Sequence, residues 1–337
     1  MTPESLTPAE YVMYVLGGKG RAQAVSTAAA WRLADRLTGG PRTLAELAEQ
    51  IGCPLGALEA VLRICTGLGF FDCPRPGEYA VTERGRMLRA DALGPMAEFV
   101  GSSEQWDPWA RLRCVRGDAT AFALAHGKGL YEWMAEHPAA AARYDAAIDA
   151  FTRHEAAALA QAFDFGGIAT VVDVGGGRGT LLAAVLAANA HLRGVLFDLP
   201  HVAERARAAL VERFGDRVDA RGGDFFAEVT GGADAYLVKH VLHNWNDARA
   251  VAILRTVAAA MAPAGRILAI ESILSPDPRP DMAAQLDLEM QVLLAGRVRR
   301  KPELRRLFAE AELQIERFAP LAAGSWLVVA ARAGGAA

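Results

Sequence analysis

The sequence predicts an α/β protein. Residues 166–337 read as a parallel sheet wound with helices, and a mainly helical region precedes them. Three observations predict this. After residue 166, short apolar runs rich in Val, Ile and Leu alternate with Ala- and Leu-rich helical stretches, the pattern of a parallel sheet covered on both faces. A glycine cluster, VVDVGGGRGTLL, separates the first such run from the first such helix. Before residue 100, Gly and Pro punctuate stretches of helical periodicity.

The totals bound what such a chain can be. With 337 residues it is too long for one ordinary core, and two domains are expected. A hydrophobic share of 52% and a charged share of 22% suit a soluble globular enzyme. The net charge of −3 gives no global field toward nucleic acid or an anionic membrane. Cys53, Cys65, Cys73 and Cys114 show no CxxC spacing, so they read as reduced thiols rather than metal ligands. The opening MTPESLTPAE has neither a basic nor an apolar leader segment, and no apolar run is long enough to span a bilayer. A cytoplasmic location is expected.

Between residues 21 and 37, Ala, Leu and Arg alternate as in a helix that ends at Gly39-Gly40-Pro41. Thr43 with Glu46 three residues later forms a capping box for TLAELAEQIG. A turn at Gly52, the helix Leu55–Leu68 and a hairpin around Pro74–Gly77 complete a winged helix-turn-helix over residues 1–100. DNA binding is the obvious function for that motif. However, the second helix would be the reader, and Arg63 is its only basic residue. A reading helix needs several donors for phosphates and base edges, so this one suits burial or a second subunit. Residues 101–165 form a helical connector dense in aromatics, including Trp106, Trp109, Tyr131 and Trp133. They serve as core, or a few of them line an aromatic cavity. From 166 onward the strands are TVVDVG, GVLFDL, VDARGGDF, AYLVKH and RILAIES. The chain closes with QIERFAPL and SWLVVAARA, an antiparallel pair.

Glycines at a strand–helix junction let the backbone approach a ligand and present amides to it. The cluster lacks the GxxxxGK[ST] of a phosphate loop, and GGKG at 17–20 is not one. The dinucleotide fingerprint fails because position 180 is Thr. What remains is D-x-G-x-G-x-G from Asp173 through Gly175 and Gly177 to Gly179. The next strand ends at Asp198, placed for ribose hydroxyls. The third ends at Asp224 with Phe225 beside it, an acceptor for an adenine amino group next to a flat apolar face. Three neighbouring strands ending in Asp point to an adenosine ligand without a second nucleotide.

VDVGGGRG, FDLP, GDFF and LHNW, in that order, resemble the S-adenosylmethionine-dependent small-molecule O-methyltransferases of the plant caffeate type and their bacterial antibiotic-pathway relatives. The resemblance covers nearly the whole chain. It implies a winged-helix dimerisation domain (1–100), a helical connector contributing to the substrate cavity (101–165) and a class I methyltransferase domain with a Rossmann-like sheet (166–337). It implies that the glycine loop holds the methionyl end of S-adenosylmethionine, that Asp198 and Leu199 hold the ribose, and that Asp224 and Phe225 frame the adenine. Thr152 and Lys239 fall at cofactor-touching positions. The product would be S-adenosylhomocysteine, and the assembly a homodimer formed through the N-terminal domain, with neither nucleic acid nor membrane as partner.

The resemblance makes His243 the general base, with Glu271 beside it. A phenol ionises near pH 10 and imidazole near 6.5, so deprotonation first costs about 5 kcal/mol, and a carboxylate that raises the imidazole's basicity narrows the gap. Trp109, Ile148, Asn244, Met290 and Leu294 are the candidates for contact with a small aromatic acceptor. Two positions depart from the family: Asn244 replaces the usual Asp, and Val298, in GRVRR, replaces a second glutamate. Arg297, Arg299 or Arg300 would then bring a cation near the base and favour an anionic acceptor such as a carboxylated phenol. The same departures leave C-methylation, decarboxylation or hydroxylation open. A DNA-binding regulator and a dinucleotide oxidoreductase are the remaining alternatives. His240 and His243 make half a metal site, but the spacing shows no third ligand, so no metal is expected.

Overall fold

In the computed structural model, residues 6–117, 119–321 and 324–334 are described. Residues 1–5, 118, 322–323 and 335–337 lie outside these ranges. The chain divides into two compact units, and neither is continuous in sequence. One comprises Met1–Trp106 with His137–Phe151; the other comprises Asp107–Glu136 with Thr152–Ala337.

The first unit is helical with a small sheet. Helix Gly18–Ala30 is followed by the short helix Leu33–Arg36, where one helix over 21–37 was expected. The break falls at Arg32, which has a left-handed backbone (φ 55°) and no breaker residue to announce it. Thr43 caps helix Leu44–Ile51 in a capping box with Glu46, as the sequence indicates. Helix Leu55–Gly67 follows, then the three-stranded sheet of β1 (Arg42–Thr43), β2 (Phe71–Arg75) and β3 (Glu78–Val81) in the order β1-β3-β2. Leu33, Leu47, Leu58, Leu62, Cys65 and Phe71 fill its core. The N-terminal helix Pro8–Leu16 has a capping box of Thr7 and Glu10 but buries no residue.

The second unit carries a seven-stranded sheet. Its strands are β4 (Thr170–Val174), β5 (Arg193–Asp198), β6 (Val218–Gly222), β7 (Ala235–Lys239), β8 (Arg266–Ser272), β9 (Leu313–Pro320) and β10 (Ser325–Arg332), ordered β6-β5-β4-β7-β8-β10-β9. The first five pair in parallel, and β10 runs antiparallel to both β8 and β9. The sheet is therefore mainly parallel and ends in the expected antiparallel pair. Burial on both faces explains the unbroken apolar runs in β4 and β7, where Val171, Val172, Ala235, Tyr236, Leu237 and Val238 are all fully buried. The strand order reverses between β4 and β7, and ligands bind at such a switch point, outside the carboxyl ends of the strands.

Candidate active site

The glycine loop leaves β4 at that switch point. Gly175, Gly177 and Gly179 have φ of 69°, 60° and 76°, a region that residues with a Cβ rarely adopt. A Cβ at Gly177 would meet nothing within 4 Å, whereas one at Gly176 would run into Leu196 and the Asp173 carboxylate at 2.5–2.6 Å. The loop is thus closed beneath and open above Gly177. Asp198 at the end of β5 braces it, accepting the Gly177 amide at 2.8 Å and the Leu199 amide at 2.7 Å. Leu199 is exposed. Asp224 lies two residues past β6, not on it, and its carboxylate accepts the Phe226 amide at 2.9 Å. Phe225 packs edge-on to Phe226 at 4.9 Å and lies 3.8 Å from where a Gly175 Cβ would stand.

Under the loop, Asp173 is buried and its Oδ2 has no hydrogen-bond partner among the described residues. Burial, reinforced by Asp198 and opposed by Lys239, pushes its carboxyl up to about 7. A buried acceptor oxygen under a pre-shaped glycine loop, with carboxylates at the next two strand ends, fits a cofactor that carries positive charge at one end and an adenosine at the other.

The chain then turns at the end of β7. His240 has a left-handed backbone (φ 53°), and Leu242–Asn244 form a single 3-10 turn. That turn places His243 against Glu271 on the neighbouring strand β8. Nδ1 of His243 lies 2.6 Å from Oε2 of Glu271, and both residues are buried. The other Glu271 oxygen accepts the Leu242 amide at 2.9 Å. Burial would raise the Glu271 carboxyl, but the His243 ring, His240 and the Leu242 amide together hold it below the usual carboxylate range. An ionised carboxylate only accepts, so a ring proton of His243 sits on Nδ1, and in the neutral imidazole the lone pair is on Nε2.

Neighbours hold the turn from all sides. Arg299, buried, donates to the carbonyls of Leu242 and Trp245 at 2.9 and 2.8 Å and to Asp247 at 2.9 Å. Arg297 pairs with Glu303, and its amide donates to the His243 carbonyl. The Arg300 amide donates to Glu303. Of the arginines expected to bring a cation to the base, Arg297 and Arg299 hold carboxylates and the backbone of the turn, while the Arg300 side chain is exposed. Gly296 sits so close that a Cβ there would fall 2.1 Å from the His243 carbonyl oxygen. Asn244 donates to the Tyr131 hydroxyl at 3.0 Å and to the His240 carbonyl at 3.1 Å. Trp245 packs on Phe226 (4.9 Å) and Tyr131 (6.1 Å).

Behind the turn lies a buried network that the sequence reading missed. Glu155 meets Lys239 at 3.0 Å, both its oxygens lie 3.1–3.2 Å from His240 Nε2, and Ser325 donates to it. Burial opposes its charge, yet His240, Lys239 and Ser325 hold its carboxyl down at about 2. Lys239 also donates to Thr152 at 3.1 Å. The only sequence signal of the network's centre was Glu155, one of three acids in the Ala-rich helix Pro138–Ala162.

Of the acceptor candidates, Met290 and Leu294 share an apolar cluster with Val298. Trp109 is half-buried on helix Ser103–Arg111. Ile148 is exposed in the first unit. The third donor for His240 and His243, absent from the spacing, is Glu271: one ligand atom from each lies within 4.8 Å of the others.

Residues 109–314 match the model of the O-methyltransferase domain, and residues 15–91 match that of the O-methyltransferase dimerisation domain. The chain is 36% identical to a phenazine O-methyltransferase, PhzM, of Lysobacter antibioticus over 95% of each chain. It is 37% identical to the mitomycin biosynthesis 6-O-methyltransferase of Streptomyces lavendulae, over 96% of this chain and 94% of the relative. It also superposes on the S-adenosylhomocysteine-bound form of CalO1, a methyltransferase in calicheamicin biosynthesis. There the TM-score is 0.85 at 30% identity, over 98% of this chain and 100% of that one.

Proposed function

The chain belongs to the S-adenosylmethionine-dependent O-methyltransferase family, and from that premise we propose that it methylates a hydroxyl of a small aromatic acceptor in specialised-metabolite biosynthesis, with His243 as general base. The observation that carries this reading is the 2.6 Å contact between buried His243 and Glu271. It fixes the tautomer and leaves Nε2 to accept a proton.

The cofactor, when bound, supplies an electrophilic methyl on its sulfonium. Asp173, Gly175 and Gly177 would hold its methionyl end, Asp198 and Leu199 the ribose, Asp224 and Phe225 the adenine, with Thr152 and Lys239 alongside. His243 takes the acceptor's proton, and Glu271 stabilises the imidazolium that forms. Asn244, Met290, Leu294, Trp109 and Ile148 are the residues proposed for the acceptor. Holding nucleophile and methyl in line can remove roughly 7–11 kcal/mol of barrier, so the base completes a reaction that alignment largely drives. The transfer is proposed to need no metal.

A second reading rests on Val298. It is buried beside Met290 in an apolar cluster where the family has a second glutamate, which suits an acceptor already ionised or a carbon nucleophile. Residues 1–100 are proposed as the dimerisation module, 101–165 as the connector and 166–337 as the catalytic domain. Nucleic acid is not a proposed partner: Arg63 pairs with Glu59 at 2.9 Å, while Leu55 and Ile64 face outward. Four free cysteines fit a cytoplasmic setting. The test is a mass-spectrometric screen of aromatic hydroxy compounds with isotopically labelled cofactor. A labelled O-methyl product formed by the wild type is expected; C-methylated products alone would favour the second reading.

A further inference from the structure

Three donor side chains converge where β7 and β8 end. One ligand atom each from His240, His243 and Glu271 lies within 4.8 Å of the others. His243 and Glu271 are buried, and the His240 side chain is only 14% exposed. Two imidazoles and a carboxylate are a ligand set that holds zinc with a fourth position left open.

The support behind His240 separates this from a chance cluster. Its Nε2 faces both Glu155 oxygens at 3.1 and 3.2 Å. That nitrogen therefore carries the proton, and Nδ1 carries the lone pair. A carboxylate behind an imidazole is the arrangement that orients metal-binding histidines and raises their basicity. Glu155 is itself fixed by Lys239 at 3.0 Å and by the Ser325 hydroxyl. His240 also keeps a left-handed backbone, φ 53°, and such conformations concentrate at functional sites.

We infer that His240, His243 and Glu271 form an inhibitory site for a zinc-class divalent ion, with Glu155 as its outer support. Ligand atoms around tetrahedral zinc stand about 3.3 Å apart, so the widest pair must close by about 1.5 Å. Side-chain rotation of His243 and Glu271 supplies that, at the cost of their mutual hydrogen bond. An ion on Nδ1 of His243 drives the ring proton to Nε2; an ion on Nε2 occupies the lone pair. Either way the imidazole can no longer take a proton from the acceptor. The Lys239 ammonium opposes the ion, and the charges of Glu155 and Glu271 offset it. Magnesium, which prefers oxygen ligands, is not held by two imidazoles.

Binding rests on geometry alone; inhibition rests on His243 being the base, and the two are tested separately. Cobalt(II), as a visible stand-in for zinc, is titrated into the chelator-stripped full-length protein. The expected result is the absorption of a four-coordinate site, saturating at one ion per chain, displaced by zinc and untouched by magnesium. Glu155→Gln should weaken that binding about 10–100-fold, and His240→Asn should abolish it, with circular dichroism reporting that each variant is folded. No saturable band, or a band unchanged in folded His240→Asn, overturns the site. Zinc should also stop methyl transfer by the wild type. Full turnover with the site saturated would overturn the inhibition and the general-base reading together, leaving the ion site standing.

Discussion

At the scale of single residues, the proposed chemistry rests on the His243–Glu271 pair. His243→Ala should lower the single-turnover methyl-transfer rate by about 10²–10⁴ while S-adenosylhomocysteine affinity in calorimetry stays within error. Glu271→Gln should cost less, since it orients the imidazole and accepts no proton from the acceptor. Equal rates for wild type and His243→Ala above pH 7 would reduce His243 to packing. Asp173 gives a second expectation. With its carboxyl pushed up to about 7 by burial, the folded chain keeps a proton that the unfolded chain releases near pH 4. Between those values the native state binds more protons, so the carboxyl's contribution to stability falls as pH rises from about 4 to about 7. A cationic ligand above it favours the carboxylate. Cofactor binding near pH 7 should therefore release protons, seen as a dependence of calorimetric heat on the buffer's ionisation enthalpy and lost in Asp173→Asn. Heats independent of buffer would show that Asp173 does not face the ligand. The His243–Glu271 pair was legible in the sequence because both residues sit at the ends of strands expected to be neighbours. Glu155 was not, because its burial depends on which face of a long Ala-rich helix meets β7 and β10.

At the scale of elements, β4, β5, β7 and β8 were legible because they are buried along almost their whole length and spell it out in apolar runs. The turn that follows β7 was legible only in its residues. Its shape comes from partners distant in sequence: Arg299, which spans Leu242, Trp245 and Asp247, and Gly296, which lies flat against the turn's backbone. Of the three arginines read as cations for an acidic substrate, Arg297 and Arg299 have carboxylate partners that the sequence did not show. Gly296→Ala is the sharpest test of this support. Its Cβ would stand 2.1 Å from the His243 carbonyl oxygen, so the backbone that carries the imidazole must move. A displacement of about 1 Å can cost 10²-fold in rate. We expect a loss of about that size in kcat, with cofactor affinity intact and a folded protein by circular dichroism. Unchanged kcat would mean the turn absorbs the shift without moving the imidazole.

At the scale of the whole molecule, the helix Pro8–Leu16 leaves Tyr11, Val12, Met13, Val15 and Leu16 about half or more exposed. An apolar recess of about 320 Å³ lies in the same unit between Arg21, Val25, Leu68, Ala97 and Val100. Exposed apolar side chains gathered on one helix mark an interaction surface. With a dimerisation domain over residues 15–91, a two-fold dimer is expected at micromolar concentration by light scattering. Paired Val12→Asp and Leu16→Asp substitutions should shift it toward monomer; a wild-type monomer would refute the assignment. Two domains were expected from the length, but their interleaving was not legible, since composition does not show that the chain passes between the units three times. That interleaving has a consequence on the ribosome. The stretch Asp107–Glu136 belongs to the second unit, yet it leaves the tunnel about 200 residues ahead of β10. At about 5–20 residues per second it waits roughly 10–40 s for the strands that complete its unit. Its apolar faces are exposed throughout that wait, so the nascent chain, rather than the finished enzyme, is the form most in need of a chaperone.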